Sequence, residues 1–302
     1  LEISSRELRQ LSKSYKYLNL LNNRFKLISK LSLSFQNNNL LYSAYNLSIN
    51  SGAHKFTGTV SGNNGIKPKI DLILSSNNID LDLLGKSISN LTESLSNAKD
   101  QNLKTKNSYW NLYEGTLLLS IGTSKFLEYP IRDVLLDIKK EDKNYILNIG
   151  KGTFPGNTKI SFKGNLKNDF SVFEGSSVIN SDNIRQFSKW LSIDIKNISD
   201  SRLRKTKLNS NVVIRDGGAS FVGINGEIDS SKVTGEVRLR YKDFNSLYAN
   251  LKVDNINLDA YLEENNQSED ITKKYNLNIF TFDEINIDIN FDKFLFGKNE
   301  YN

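Results

Sequence analysis

Apolar and polar residues alternate along most of this chain. Glu284–Phe291 reads Glu-Ile-Asn-Ile-Asp-Ile-Asn-Phe, with Ile285, Ile287, Ile289 and Phe291 at one parity and only polar residues at the other. A period of two is the signature of a strand with one dry face and one wet face. The same spacing recurs at Ile70, Leu72 and Leu74; at Leu117, Leu119 and Ile121; and at Val134, Leu136 and Ile138. It returns at Val237 and Leu239, which alternate with Arg238 and Arg240, and at Leu251 and Val253. These seventeen residues are the predicted dry faces.

Turn signals separate the strands. Asn63-Asn64-Gly65, Asp216-Gly217-Gly218, Asp229-Ser230-Ser231 and Glu141-Asp142-Lys143-Asn144 are short links of the kind that join antiparallel neighbours. Phe154-Pro155-Gly156-Asn157-Thr158 is another, and its Pro–Gly pair suits a type II turn. Helices are few. Ser5–Tyr15 carries Leu8 and Leu11 on one side. Ile184–Leu191 puts Ile184, Phe187, Trp190 and Leu191 on one stripe, with Ser181 or Asp182 as its cap. Asp82–Ala98 spaces Leu84, Ile88, Leu91 and Leu95 helically, and the polar stretch 99–107 after it reads as a flexible linker.

The chain repeats itself. SRELRQLSKSY at Ser5–Tyr15 matches SDNIRQFSKWL at Ser181–Leu191, 176 residues later. KFTGTV at Lys55–Val60 matches KVTGEV at Lys232–Val237, and NIDLD at Asn78–Asp82 matches NINLD at Asn255–Asp259, both at an offset of 177. A weaker match pairs Lys125–Leu127 with Lys293–Leu295, KFL in both, at 168. Such self-similarity predicts a body built from like units. The division expected is a first unit over 1–180 and a second, shortened unit over 181–302. The chain starts at Leu1 and contains no Met, so we expect a segment of a longer protein.

Composition narrows the chemistry. With no Cys and one His in 302 residues, thiol catalysis, disulfide scaffolds and multi-histidine metal sites are excluded. The net charge of +6 is modest, and the 40 Asn residues reflect a compositional bias. Basic residues cluster only briefly, at Arg202–Lys207 and Lys139–Lys143, so no nucleic-acid partner is expected. His54 has no recognisable partner and reads as a surface residue. Asp80 and Asp82 share a strand face, but the repeat replaces Asp80 by Asn257. Asp82 and Asp259 therefore read as helix caps and not as metal ligands. Gly58, Gly235, Gly164 and Gly175 fit no phosphate-binding motif and read as hairpin or bulge glycines. Trp110 and Trp190 read as core residues. No cofactor, metal or enzymatic activity is expected.

Four patches in order resemble the AsmA-like family of Gram-negative envelope proteins: GTFPGNTKISFKG at Gly152–Gly164, FEGSSVINSDNIRQFSKWL at Phe173–Leu191, FVGINGEIDSSKVTG at Phe221–Gly235 and NINLDAYL at Asn255–Leu262. The resemblance implies a mainly β fold: an elongated, curled antiparallel sheet forming a trough, with a few short capping helices. It implies a periplasmic body held to the inner membrane by an N-terminal helix outside this segment. The implied function is phospholipid transport between the inner and outer membranes, supporting outer-membrane assembly or integrity. The partners would be acyl chains held on the seventeen dry-face residues, with other envelope proteins as further partners and membrane contact made outside this segment. The alternative expectation is a repeat scaffold or assembly factor for outer-membrane proteins.

Overall fold

Alternating segments separated by tight turns become long strands laid side by side. The computed structural model describes residues 2–4, 25–37, 39–51, 54–83, 113–142, 144–167, 171–191, 193, 195, 198–242, 244–261, 282–297 and 299–301. The helix expected over Ser5–Tyr15, all but the start of that over Asp82–Ala98, the 99–107 linker and Trp110 lie outside these residues. The chain divides into two compact units, 1–152 and 153–302. The repeat boundary at 181 marks a phase of the sequence rather than this compact division.

In the first unit the strands are β1 (Glu2–Ser4), β2 (Phe25–Gln36), β3 (Asn39–Ser51), β4 (His54–Asn63), β5 (Lys69–Asp80), β6 (Glu114–Phe126), β7 (Tyr129–Glu141) and β8 (Asn144–Phe154), whose last two residues open the second unit. The second unit continues with β9 (Thr158–Leu166), β10 (Val172–Ser181), helix α1 (Ile184–Trp190), β11 (Thr206–Arg215), β12 (Gly218–Ile228), β13 (Ser231–Lys242), β14 (Phe244–Asn257), β15 (Glu284–Phe296) and β16 (Asn299–Tyr301). Within each unit the strands lie in sequence order.

The expected curled antiparallel trough is corrected on two counts. The sheet is mixed: β5 pairs with β6, and β14 with β15, in parallel. It is also open, neither closed nor strongly curled in either unit. Period-2 alternation is the same for both strand directions and carries no information on curvature. Direction follows from the connection, and a parallel neighbour needs a crossover of a dozen residues or more. Residues 81–113 and 258–283 supply such lengths.

The registers of the two units coincide. Leu47 faces Gly58 in β3–β4, and 177 residues later Ile224 faces Gly235 in β12–β13. Each pair flanks a β-bulge, and the bulge residues Asn46 and Gly223 hold equivalent places with φ of 54° and 63°. Asn and Gly are the residues that tolerate this left-handed conformation. Leu72 faces Leu117 in β5–β6, as Ala249 faces Ile287 in β14–β15. The β6-to-β15 offset is therefore 170, not 168: Lys125 corresponds to Leu295, and the KFL match is two residues out of phase. The β2-to-β11 offset is 181, since Leu31 faces Ala44 as Val212 faces Phe221.

The glycines of KFTGTV and KVTGEV stand where backbones meet. A Cβ on Gly58 would lie 1.8 Å from the Ile73 carbonyl oxygen, and one on Gly235 would lie 2.1 Å from that of Asn250. Gly164 and Gly175 face each other across β9–β10, again with no room for a side chain.

The aspartates of the repeat have different tasks from those expected. Asp80 Oδ1 accepts the Leu83 N–H at 2.9 Å, and Asn257 Oδ1 accepts the Ala260 N–H at 3.3 Å. These two are the caps, and Asp and Asn are interchangeable there. Asp82 and Asp259 instead reach the turns that follow β6 and β15. Asp82 accepts from the Leu127 and Glu128 N–H groups at 2.8 and 3.3 Å, and Asp259 accepts from the Gly297 N–H at 2.9 Å.

Helix α1 is capped by Asn183, whose side chain accepts from the Gln186 N–H, rather than by Ser181 or Asp182. The Ser181 hydroxyl accepts the Asn183 N–H at 3.2 Å. Phe187 and Trp190 pack with Phe154 at ring separations of 5.4 to 5.9 Å, and Trp190 is buried, a core residue as expected. Gly156, in the Pro–Gly turn, has φ 74° and accepts from Asn183 N–H, so the turn packs directly on the helix start.

Candidate functional site

The strand register collects the seventeen predicted dry-face residues into two patches. In the first unit Leu72, Leu117 and Ile138 stand abreast on β5, β6 and β7, as do Leu74, Leu119 and Leu136; Ile121 adjoins Val134, and Ile70 adjoins Gly115. In the second unit Val237 and Leu239 on β13 adjoin Ala249 and Leu247 on β14. Those two adjoin Ile287 and Ile285 on β15, while Leu251 and Val253 adjoin Ile289 and Phe291. Cα partners in register present their side chains to the same face, so each patch is one continuous surface.

These surfaces are not a trough. They lie on an open sheet, and no lipid-binding groove encloses them. The expected holding of acyl chains in an apolar β trough is corrected accordingly, and the lipid-transport and outer-membrane roles built on it lose their basis. The physical reason is that alternation specifies which residues share a face, while enclosure needs the sheet to bend around that face.

The second patch is bounded by β15. On one side β15 pairs with β14 over Glu284–Leu295. On the other side β16 pairs with Phe294, Leu295 and Phe296, in the register in which the first three residues of β7, Tyr129–Ile131, pair with Ser124, Lys125 and Phe126. The apolar face of the inner strands is only half-buried. Leu72, Leu74, Leu117, Leu119, Leu136 and Ile138 have a neighbouring strand on each side and no second layer over them among the described residues.

β15 has no proline. Its apolar parity runs on through Lys293, which pairs with Glu300 at 3.5 Å. Its other parity is acidic: Glu284, Asp288 and Asp292, of which Asp292 is paired with Lys252 at 2.9 Å.

Sequence reasoning found which residues share a face but not that the face lies open, because what covers a face is not written in a single strand. Among the described residues no group of three or more His, Cys, Asp or Glu could hold a metal ion, and no helix is long and apolar enough to cross a membrane. Comparison with protein-family models, with curated proteins and with solved structures gave no match.

Proposed function

We propose that the protein is a binding scaffold whose open sheet docks the apolar surface of a partner polypeptide. The observation that carries this reading is that Leu72, Leu74, Leu117, Leu119, Leu136 and Ile138 lie on strands with a neighbour on each side and are still only half-buried. A continuous exposed apolar patch of this kind marks an interaction surface, and a partner laid on it would bury these side chains. The role requires no chemical step by the protein.

The test is a photo-crosslinking residue placed at Leu117 or Leu119, on the apolar face, and at Leu118, on the other face. Products formed in cells are identified by mass spectrometry. Capture of the same polypeptide from Leu117 and Leu119 but not from Leu118 is expected. No capture from either face position, or equal capture from Leu118, would overturn the reading.

A further inference from the structure

The opposite face of the second unit carries a separate feature. β11, β12 and β13 bring Arg215, Gly218 and Arg240 abreast, and the next row on the same face holds Val213, Ser220, Arg238 and, on β14, Tyr248. Gly218, Ser220 and Ser246 are small, so the taller side chains around them bound a groove of about 720 Å³. Two of its cations are neutralised. Arg238 donates to both oxygens of Glu236 at 2.9 and 3.0 Å and lies over the Tyr248 ring, and Lys242 pairs with Asp216 at 2.6 Å. Arg215 and Arg240 have no carboxylate partner among the described residues, and both are exposed. Their Cα atoms are two strand spacings apart, about 10 Å.

The fold does not need these cations. At the equivalent places of the first unit stand Ser34 for Arg215, Ser61 for Arg238 and Asn63 for Arg240, in the same sheet register. A duplicated framework that builds the same strands without arginine marks the cluster as an addition to one unit.

We propose that this groove binds a small ligand carrying two or more oxyanion groups, phosphate or carboxylate, clamped between Arg215 and Arg240. Guanidinium groups match both anions bidentately, and two unneutralised ones across a floor of small residues favour a ligand charged at both ends. This proposal is independent of docking on the apolar face.

The test is calorimetric titration of the whole chain with tripolyphosphate and with citrate, at matched ionic strength and against chloride. Saturable binding by one of them identifies the phosphate or the carboxylate class, and by both the shared oxyanion chemistry. The Arg215→Gln/Arg240→Gln variant should bind at least tenfold more weakly. Arg215→Lys/Arg240→Lys, which keeps the charge, should recover only part of the affinity. Lys151→Gln, an exposed lysine of the first unit, should bind as the parent does. Equal affinity in the parent and the double Gln variant, a loss of equal size in Lys151→Gln, or no binding of either anion by the parent would overturn the proposal. Circular dichroism of each variant establishes that the sheet is retained.

Discussion

Asp259 holds the Gly297 backbone N–H at 2.9 Å across 38 residues of sequence, and its repeat counterpart Asp82 holds Leu127 at 2.8 Å across 45. Each carboxylate follows the end of one strand and grips the turn after the parallel neighbour of that strand. The two clamps fix where each crossover returns, which explains why NIDLD and NINLD end in the same residue while their third positions differ. Asp82→Ala should cost about 1.5–3 kcal/mol, the usual worth of hydrogen bonds to a charged group. Amide hydrogen exchange should speed up at Leu127 and Glu128 and stay unchanged at Gly297.

Gly235→Ala should be among the most damaging single-methyl changes. The new Cβ would meet the Asn250 carbonyl oxygen at 2.1 Å, and φ there is 140°, where L side chains are strained. We expect a loss on the order of 2 kcal/mol or more, read as a lower urea midpoint. Gly297→Ala, where nothing lies within 4 Å but φ is 59°, should cost less, about 1 kcal/mol.

Two substitutions on equivalent strands compare a buried site with an exposed one. Ile121→Asp buries a charge at a position 4% exposed and should destabilise by roughly 3 kcal/mol or more. Ile287→Asp lies at a position 51% exposed and should shift stability by less than about 1 kcal/mol. Differential scanning fluorimetry of the two variants reads the difference.

Tyr261 provides an alkaline marker. Burial, then the hydrogen bond its hydroxyl donates to Asp229 at 2.9 Å, push its pKa from 10.0 up to about 12. A phenol raised in the folded state contributes stability that is fully present below pH 10 and is lost as pH climbs through about 12. Tyr261→Phe should flatten this limb of the stability profile, and absorbance at 295 nm should show one fewer late-titrating tyrosine in the variant than in the parent.

Asp71 gives the acid counterpart. Burial pushes its carboxyl up, but hydrogen bonds from Lys69 and from the Thr116 hydroxyl and N–H together outweigh it and hold the pKa below the ordinary 3.8. Its contribution is present above the unfolded pKa and is lost as pH falls through the lowered folded value. Protection of the Thr116 amide should therefore decline below pH 4 in the parent, and Asp71→Asn should remove that dependence.

The sequence by itself determined the strands, their faces and their duplication. Alternation at Glu284–Phe291 placed Ile285, Ile287 and Ile289 on one side because side chains on a strand have a period of two whatever the neighbours are. The 177-residue offset was legible because KFTGTV and NIDLD mark places where backbone contacts allow little choice, a bulge-facing glycine and a turn-clamping aspartate. The tertiary structure alone decided strand direction, openness and partnering. The parallel pairing of β5 with β6 and of β14 with β15 depends on where the crossovers return, and alternation is blind to that. The 168-residue KFL match was out of phase because three residues of similar type recur by chance, whereas a hydrogen-bonded register cannot slip without turning every side chain to the other face. The basic groove likewise depends on distance in space: Arg215 and Arg240 are 25 residues apart in sequence and two strands apart in the sheet.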